Sequence, residues 1–137
     1  MKPLKNLFKI LIISILISSC SDDDRILPSL GDYENGILVT NEGPFQNGSG
    51  TITYISDDYT TIEQQVFNQV NSEDLGSIVQ SIGFNDELAY IVINNSNKIE
   101  VVNRYSFESI SSITDGLMNP RYFFSSGTNG YVTNWGD

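Results

Sequence analysis

The sequence predicts an all-β fold, and three observations point to it. Short apolar runs are punctuated by Gly, Asn, Asp and Ser, one central stretch reads as a β-hairpin, and a triplet recurs along the chain. From Gly36 onward no stretch carries helical periodicity long enough to specify a helix. The triplet Val39-Thr40-Asn41 returns as Val92-Ile93-Asn94 and as Val132-Thr133-Asn134, at offsets of 53 and 40 residues. Those offsets bracket the period of roughly 40 to 45 residues of a four-stranded propeller blade, so a β-propeller is expected. A propeller closes with about four to eight blades, and this chain holds about two and a half, which makes it a fragment on this reading. A self-contained sandwich of about eight or nine short strands is the alternative.

Taken in order, residues 1–19 carry Lys2, Lys5 and Lys9 and then an apolar run from Ile10 to Ile17 broken only by Ser14. That is the layout of a secretory signal peptide. The run is shorter than the ~20 apolar residues of a membrane-spanning helix. Ile17-Ser18-Ser19-Cys20 resembles the lipobox of bacterial lipoproteins, which implies an acylated Cys20 at the mature amino terminus. A secreted protein with an incidental Cys is the alternative. Acyl chains would anchor the protein to a membrane, each buried methylene adding about 0.8 kcal/mol. Residues 20–35 are expected to form a flexible leader that opens on the acidic run Ser21-Asp22-Asp23-Asp24. The run also resembles the signals that send lipoproteins to the outer face of the outer membrane, so a cell-surface position is expected ahead of a periplasmic one.

Residues 36–137 should form the β domain. A first unit takes strands at Ile37 to Asn41, Thr51 to Ile55 and Gln65 to Phe67; it is one short of four, as when the end of a chain supplies the innermost strand of a closed ring. A second takes Ser77 to Phe84, Ala89 to Asn94, Lys98 to Asn103 and Glu108 to Ile113. Its innermost strand should place Ile78, Gln80, Ile82 and Phe84 on one face and Val79, Ser81 and Gly83 on the other. In the central hairpin, Ala89, Ile91 and Ile93 oppose Tyr90 and Val92, so both faces are apolar and this arm should be buried. The second arm alternates Ile99, Val101 and Asn103 with Lys98, Glu100 and Val102, which predicts a strand further out with one face partly wet. Asn94, Asn95, Ser96 and Asn97 between them are turn residues. A third unit starts with Arg121 to Ser125 and Tyr131 to Trp135.

Charge and composition narrow the chemistry. The chain has 7 basic and 17 acidic residues; without the three signal-peptide lysines, 4 basic residues face 17 acidic ones, a net charge of −13. That argues against nucleic acid and anionic membrane surfaces as partners and favours a neutral or cationic one. Histidine is absent and Cys20 is the sole cysteine, which removes Ser-His-Asp triads, Cys-His pairs and the usual zinc ligand sets. The acidic pairs Asp57-Asp58, Glu73-Asp74 and Asp86-Glu87 are neighbours in turns and point apart, unlike glycosidase carboxylates. Gly48-Ser49-Gly50 and Gly127-Thr128-Asn129-Gly130 read as tight turns, since neither precedes a helix start. A non-enzyme without metal or cofactor is expected.

Asn41-Glu42-Gly43-Pro44-Phe45, Leu75-Gly76-Ser77, Asn94 to Val101, Asn119-Pro120-Arg121-Tyr122 and Tyr131 to Trp135 together resemble the YncE-like surface lipoproteins. The resemblance runs from about Gly36 to the end of the chain and implies a seven-bladed propeller in full-length relatives, of which the last two thirds or so are absent here. It also implies a place beside a TonB-dependent outer-membrane transporter and, through cobalamin-binding relatives of the BtuG type, a corrinoid ligand.

In a propeller, the loops between second and third strands emerge on the same face as the loops between blades. That face would collect Asn41, Glu42, Phe45, Asn94, Asn95, Arg121, Tyr122, Asn134 and Trp135, mixing aromatic platforms with amide and guanidinium donors as polar-ligand sites do. The asparagines have turn chemistry as their alternative role, Phe45 and Trp135 have packing, and Arg121 has an ion pair with an acid such as Asp115. The expected function is ligand capture by a lipid-anchored protein. A protein-interaction scaffold, which predicts a flat loop face, and a propeller lactonase or quinoprotein, which would need ligands from further blades, are the alternatives.

Overall fold

The computed structural model describes residues 28–136. The signal peptide, Cys20 and the acidic run lie outside the described residues, as does Asp137. The described residues form nine strands and one short helix: β1 (Gly36–Asn41), β2 (Thr51–Ser56), β3 (Ile62–Glu63), α1 (Val66–Asn71), β4 (Val79–Asn85), β5 (Leu88–Ile93), β6 (Lys98–Asn103), β7 (Ser109–Ile113), β8 (Pro120–Ser126) and β9 (Asn129–Asn134). The fold is all-β. Its strands make three antiparallel sheets in sequence order, β1-β2-β3, β4-β5-β6-β7 and β8-β9, and none closes on itself.

The strand expected at Gln65 to Phe67 is a helix instead. Val70 lies one helical turn beyond Val66 and Phe67, and all three pack into the core, so burial of that stripe decides the conformation. Asn71 ties the helix down: its amide donates to the carbonyl of Phe107 at 2.9 Å and its Oδ1 accepts the Ser109 N–H at 2.8 Å. The third strand of the first sheet is the two-residue β3 just before it.

The core lies between the first sheet with its helix and one face of the second sheet. Ile52, Tyr54, Val66, Phe67 and Leu75 meet Val79, Ala89, Ile91, Ile93, Val102 and Phe107 there, all buried. As the alternation predicts, β5 is buried on both faces, and Asn94 to Asn97 make the turn after it. Its partner β6 departs from expectation: Ile99 through Val102 are all buried. The charge on Glu100 is tolerated because Ser109 Oγ donates to its Oε1 at 2.6 Å, Ser112 Oγ donates to Oε2, and Lys98 Nζ lies 3.2 Å away. The wet face is on β7, whose five residues are all exposed.

Strand β4 also departs from simple alternation. A bulge at Gln80 pairs Val79 with Ile93 but Ser81 with Val92, so Val79 shares the core face with Ile82 and Phe84. Ser81 and Gly83 face the third sheet. There the Ser81 hydroxyl donates to the Arg121 carbonyl at 2.8 Å, and Phe123 stacks on Tyr90 at 3.9 Å and 12°. A Cβ on Gly83 would stand 3.0 Å from both the Phe123 ring and its carbonyl oxygen, so glycine permits this close approach.

The segment from Gly31 to Asn35, assigned by sequence to the leader, packs against this body. Tyr33 donates its N–H to Tyr105 O at 3.0 Å and meets Tyr54 and Phe107 edge-on, while its hydroxyl donates to Glu63. Burial and the Glu63 carboxylate push the Tyr33 phenol up to about 12.

Candidate functional site

The strand ends that sequence placed on one face lie along one edge of the three sheets, joined by a run of hydrogen bonds. Val79 N donates to Glu42 O at 3.2 Å, Asn94 N to Ile78 O at 2.8 Å, the Asn94 side chain to Pro120 O at 3.0 Å, and Trp135 N to Asn119 O at 3.1 Å. Each bond ties the end of one strand to the start of β4 or β8, either within a sheet or across to the next.

The second and third sheets repeat one another at a spacing of 41 residues. Ile78 and Asn119, which precede β4 and β8, both have left-handed backbone, with φ of 64° and 49°. Each is followed by a register shift, at Gln80 and at Arg121. The hairpin turns at Asp86 and Gly127 match in the same way, with φ of 51° and 58°. Their carbonyls at Ile78 and Asn119 receive the N–H groups of Asn94 and Trp135. Asn94 therefore corresponds to Trp135, one residue away from the triplet alignment read from sequence.

The predicted residues have unequal freedom. Asn94 is 8% exposed and its amide is committed to Pro120 O, so it joins sheets. Asn95 bonds Ser77 Oγ at 3.3 Å, Asn41 bonds Thr51 and Thr53, and Asn134 bonds Gly116 O and Met118 N. These are turn and edge fastenings. The aromatic residues are open to solvent: Phe45 is 67% exposed, Tyr122 59% and Trp135 75%. Glu42 is exposed as well. Arg121, at its bulge, holds its guanidinium 5.0 Å from the centre of the Trp135 ring. Among the described residues the ion pair within 4.0 Å is Lys98–Glu100, and the partner of Arg121 is this aromatic face, not Asp115.

A concavity of about 540 Å3 is lined by Gly116, Leu117, Met118, Asn134 and Gly136, the last two flanking Trp135 in sequence. Two more residues of this edge, Asn97 and Asn119, were not among the site residues named from sequence: Asn97 Oδ1 accepts the Asn119 N–H at 2.7 Å and holds the third sheet's entry against the β5–β6 turn. The abundance of Asn at strand ends was the available signal. Among the described residues no helix is long and apolar enough to cross a membrane.

A family model described as a domain of unknown function, DUF5074, matches residues 35–134, most of the chain. The chain belongs to the DUF5074 family. No curated protein matches it. In this DUF5074 domain the match takes in all nine strands and the whole edge from Asn41 to Asn134, so the hydrogen-bonded edge lies within the family's unit, with Trp135 directly after it.

Proposed function

We propose that this DUF5074 domain is a ligand-capturing β-propeller module, lipid-anchored through Cys20 on the outer face of the outer membrane, which hands its ligand to a TonB-dependent transporter. A corrinoid is the first candidate ligand, on the resemblance to YncE-like surface lipoproteins. The protein itself does no chemistry on it.

The observation that carries the binding reading is the exposed Arg121–Trp135 stack at the edge where strand ends converge. An aromatic plane exposed to this degree, with a guanidinium held over it, presents an apolar platform and fixed donors together.

Two features support consecutive propeller blades. First, β1 lies against β4 as β5 lies against β8, so β1 matches a second strand, and its outer edge is where an innermost strand would pair. Second, Phe123 covers Gly83 and Tyr90 and the Arg121 carbonyl meets Ser81, while the corresponding face of the third sheet presents Tyr122, Phe124 and Tyr131 to solvent. A further sheet of the same kind fits that face.

The test is isothermal titration of cyanocobalamin into the intact gene product freed of its acyl anchor, compared with Arg121→Ala and Trp135→Ala. Loss of this exposed cation–π pair together with the ligand contacts of the removed side chain amounts to about 1 kcal/mol, so each variant should bind about fivefold more weakly. Unchanged binding in both variants would remove this edge from the ligand site.

A further inference from the structure

We infer that Gln80 is a second ligand-contacting residue, standing beside Arg121 in a row of bulge-borne side chains on successive innermost strands. The inference rests on the binding reading above and extends it to a residue that sequence patterning assigned to a strand face.

The 41-residue correspondence is carried by four markers that do not depend on side-chain identity. These are the left-handed residues Ile78 and Asn119, the register shifts at Gln80 and Arg121, the matching turns at Asp86 and Gly127, and the N–H bonds from Asn94 and Trp135. Bulges re-aim the extra side chain out of the strand's alternation and are enriched beside binding sites. Here the two bulges are neighbours in space: the Ser81 hydroxyl donates to the carbonyl of Arg121 itself, so Gln80 is one residue from direct contact with the Arg121 backbone. Gln80 is half-buried, which limits its rotamers and lowers the entropy cost of ligand contact.

The chemistry of the row defines the ligand class. Trp135 supplies an apolar plane, Arg121 a fork of donors, and Gln80 a carboxamide that both donates and accepts. A flat apolar body ringed with carboxamide or carboxylate groups satisfies all three, and the corrinoid that the resemblance implies carries amide side chains of this kind.

Cyanocobalamin titration of the intact protein and of Gln80→Ala, with Arg121→Ala alongside, tests this. Loss of a hydrogen bond at the site should weaken Gln80→Ala about five- to tenfold while its melting temperature stays at the wild-type value. If Arg121→Ala binds more weakly and Gln80→Ala binds as wild type, Gln80 is not in the site, although the binding reading stands. Absence of any binding by the wild-type protein overturns both. Should Gln80→Ala melt early, Gln80→Glu, which keeps the stem, takes its place under the same criteria.

Discussion

Replacing Phe107 with Ala should cost about 3–5 kcal/mol of stability, the range for a fully buried phenylalanine truncated in a core. The ring is 0% exposed and meets Tyr33 edge-on at 5.3 Å. The backbone of the same residue is equally committed. Its N–H donates to Asn103 O at 2.8 Å, its carbonyl accepts the Asn71 amide, and its φ of 61° is left-handed. Phe107 thus joins the Gly31–Asn35 segment, the helix and the second sheet in one cluster, and truncation loosens all three contacts together. Urea unfolding of the variant should show the loss with a smaller m-value if the Tyr33 segment also detaches, because less surface then remains to be exposed. A loss below about 1 kcal/mol would mean that this cluster does not unite the first two sheets.

The second large effect concerns acid. Burial pushes the Glu100 carboxyl up, but the hydroxyls of Ser109 and Ser112 and the Lys98 ammonium outweigh it and hold the group below the ordinary carboxylate range. Its pKa is therefore lower in the folded chain than in the unfolded one. The stability it contributes is full above the unfolded value of ~4.3 and is lost as pH falls through the lower folded value. Glu100→Gln keeps the shape and removes the charge; at pH 7 it should lower stability by about 1–3 kcal/mol. The gap between variant and wild type should narrow as the pH is taken from about 5 to below 3. Denaturant unfolding at several pH values measures it, and a gap independent of pH would show that the carboxylate charge contributes nothing.

Much of this was legible in the sequence because strands declare themselves through alternation and turn residues. The hairpin from Leu88 to Asn103 and the turn at Asn94 to Asn97 are where the pattern puts them. The helix at Val66–Asn71 was not legible, since less than two turns of apolar spacing carries too little periodicity to stand against a strand reading. Glu100 misled because a charge in an alternating strand reads as a wet face; its hydroxyl partners come from β7, a separate strand. The bulges at Gln80 and Arg121 were invisible for a related reason. Register is a property of paired strands, and a one-residue insertion leaves no mark on composition. The recurrent triplet located the repeat but missed its phase by one residue, aligning Asn94 with Asn134 where the hydrogen bonds align Asn94 with Trp135. At the candidate edge, the aromatic and guanidinium groups were identifiable by type. The commitment of Asn94 to Pro120 depends on the neighbouring sheet and could not be read locally.

The most direct measurement is an experimental structure of the intact gene product, read at Tyr122, Phe124 and Tyr131. Serial sheet packing predicts a further sheet over this face, with an apolar or aromatic side chain stacked on Tyr131 as Phe123 stacks on Tyr90. Finding these three side chains still open to solvent in the intact protein would contradict the propeller, and with it the row of bulge-borne residues, Gln80 and Arg121, proposed to hold the ligand.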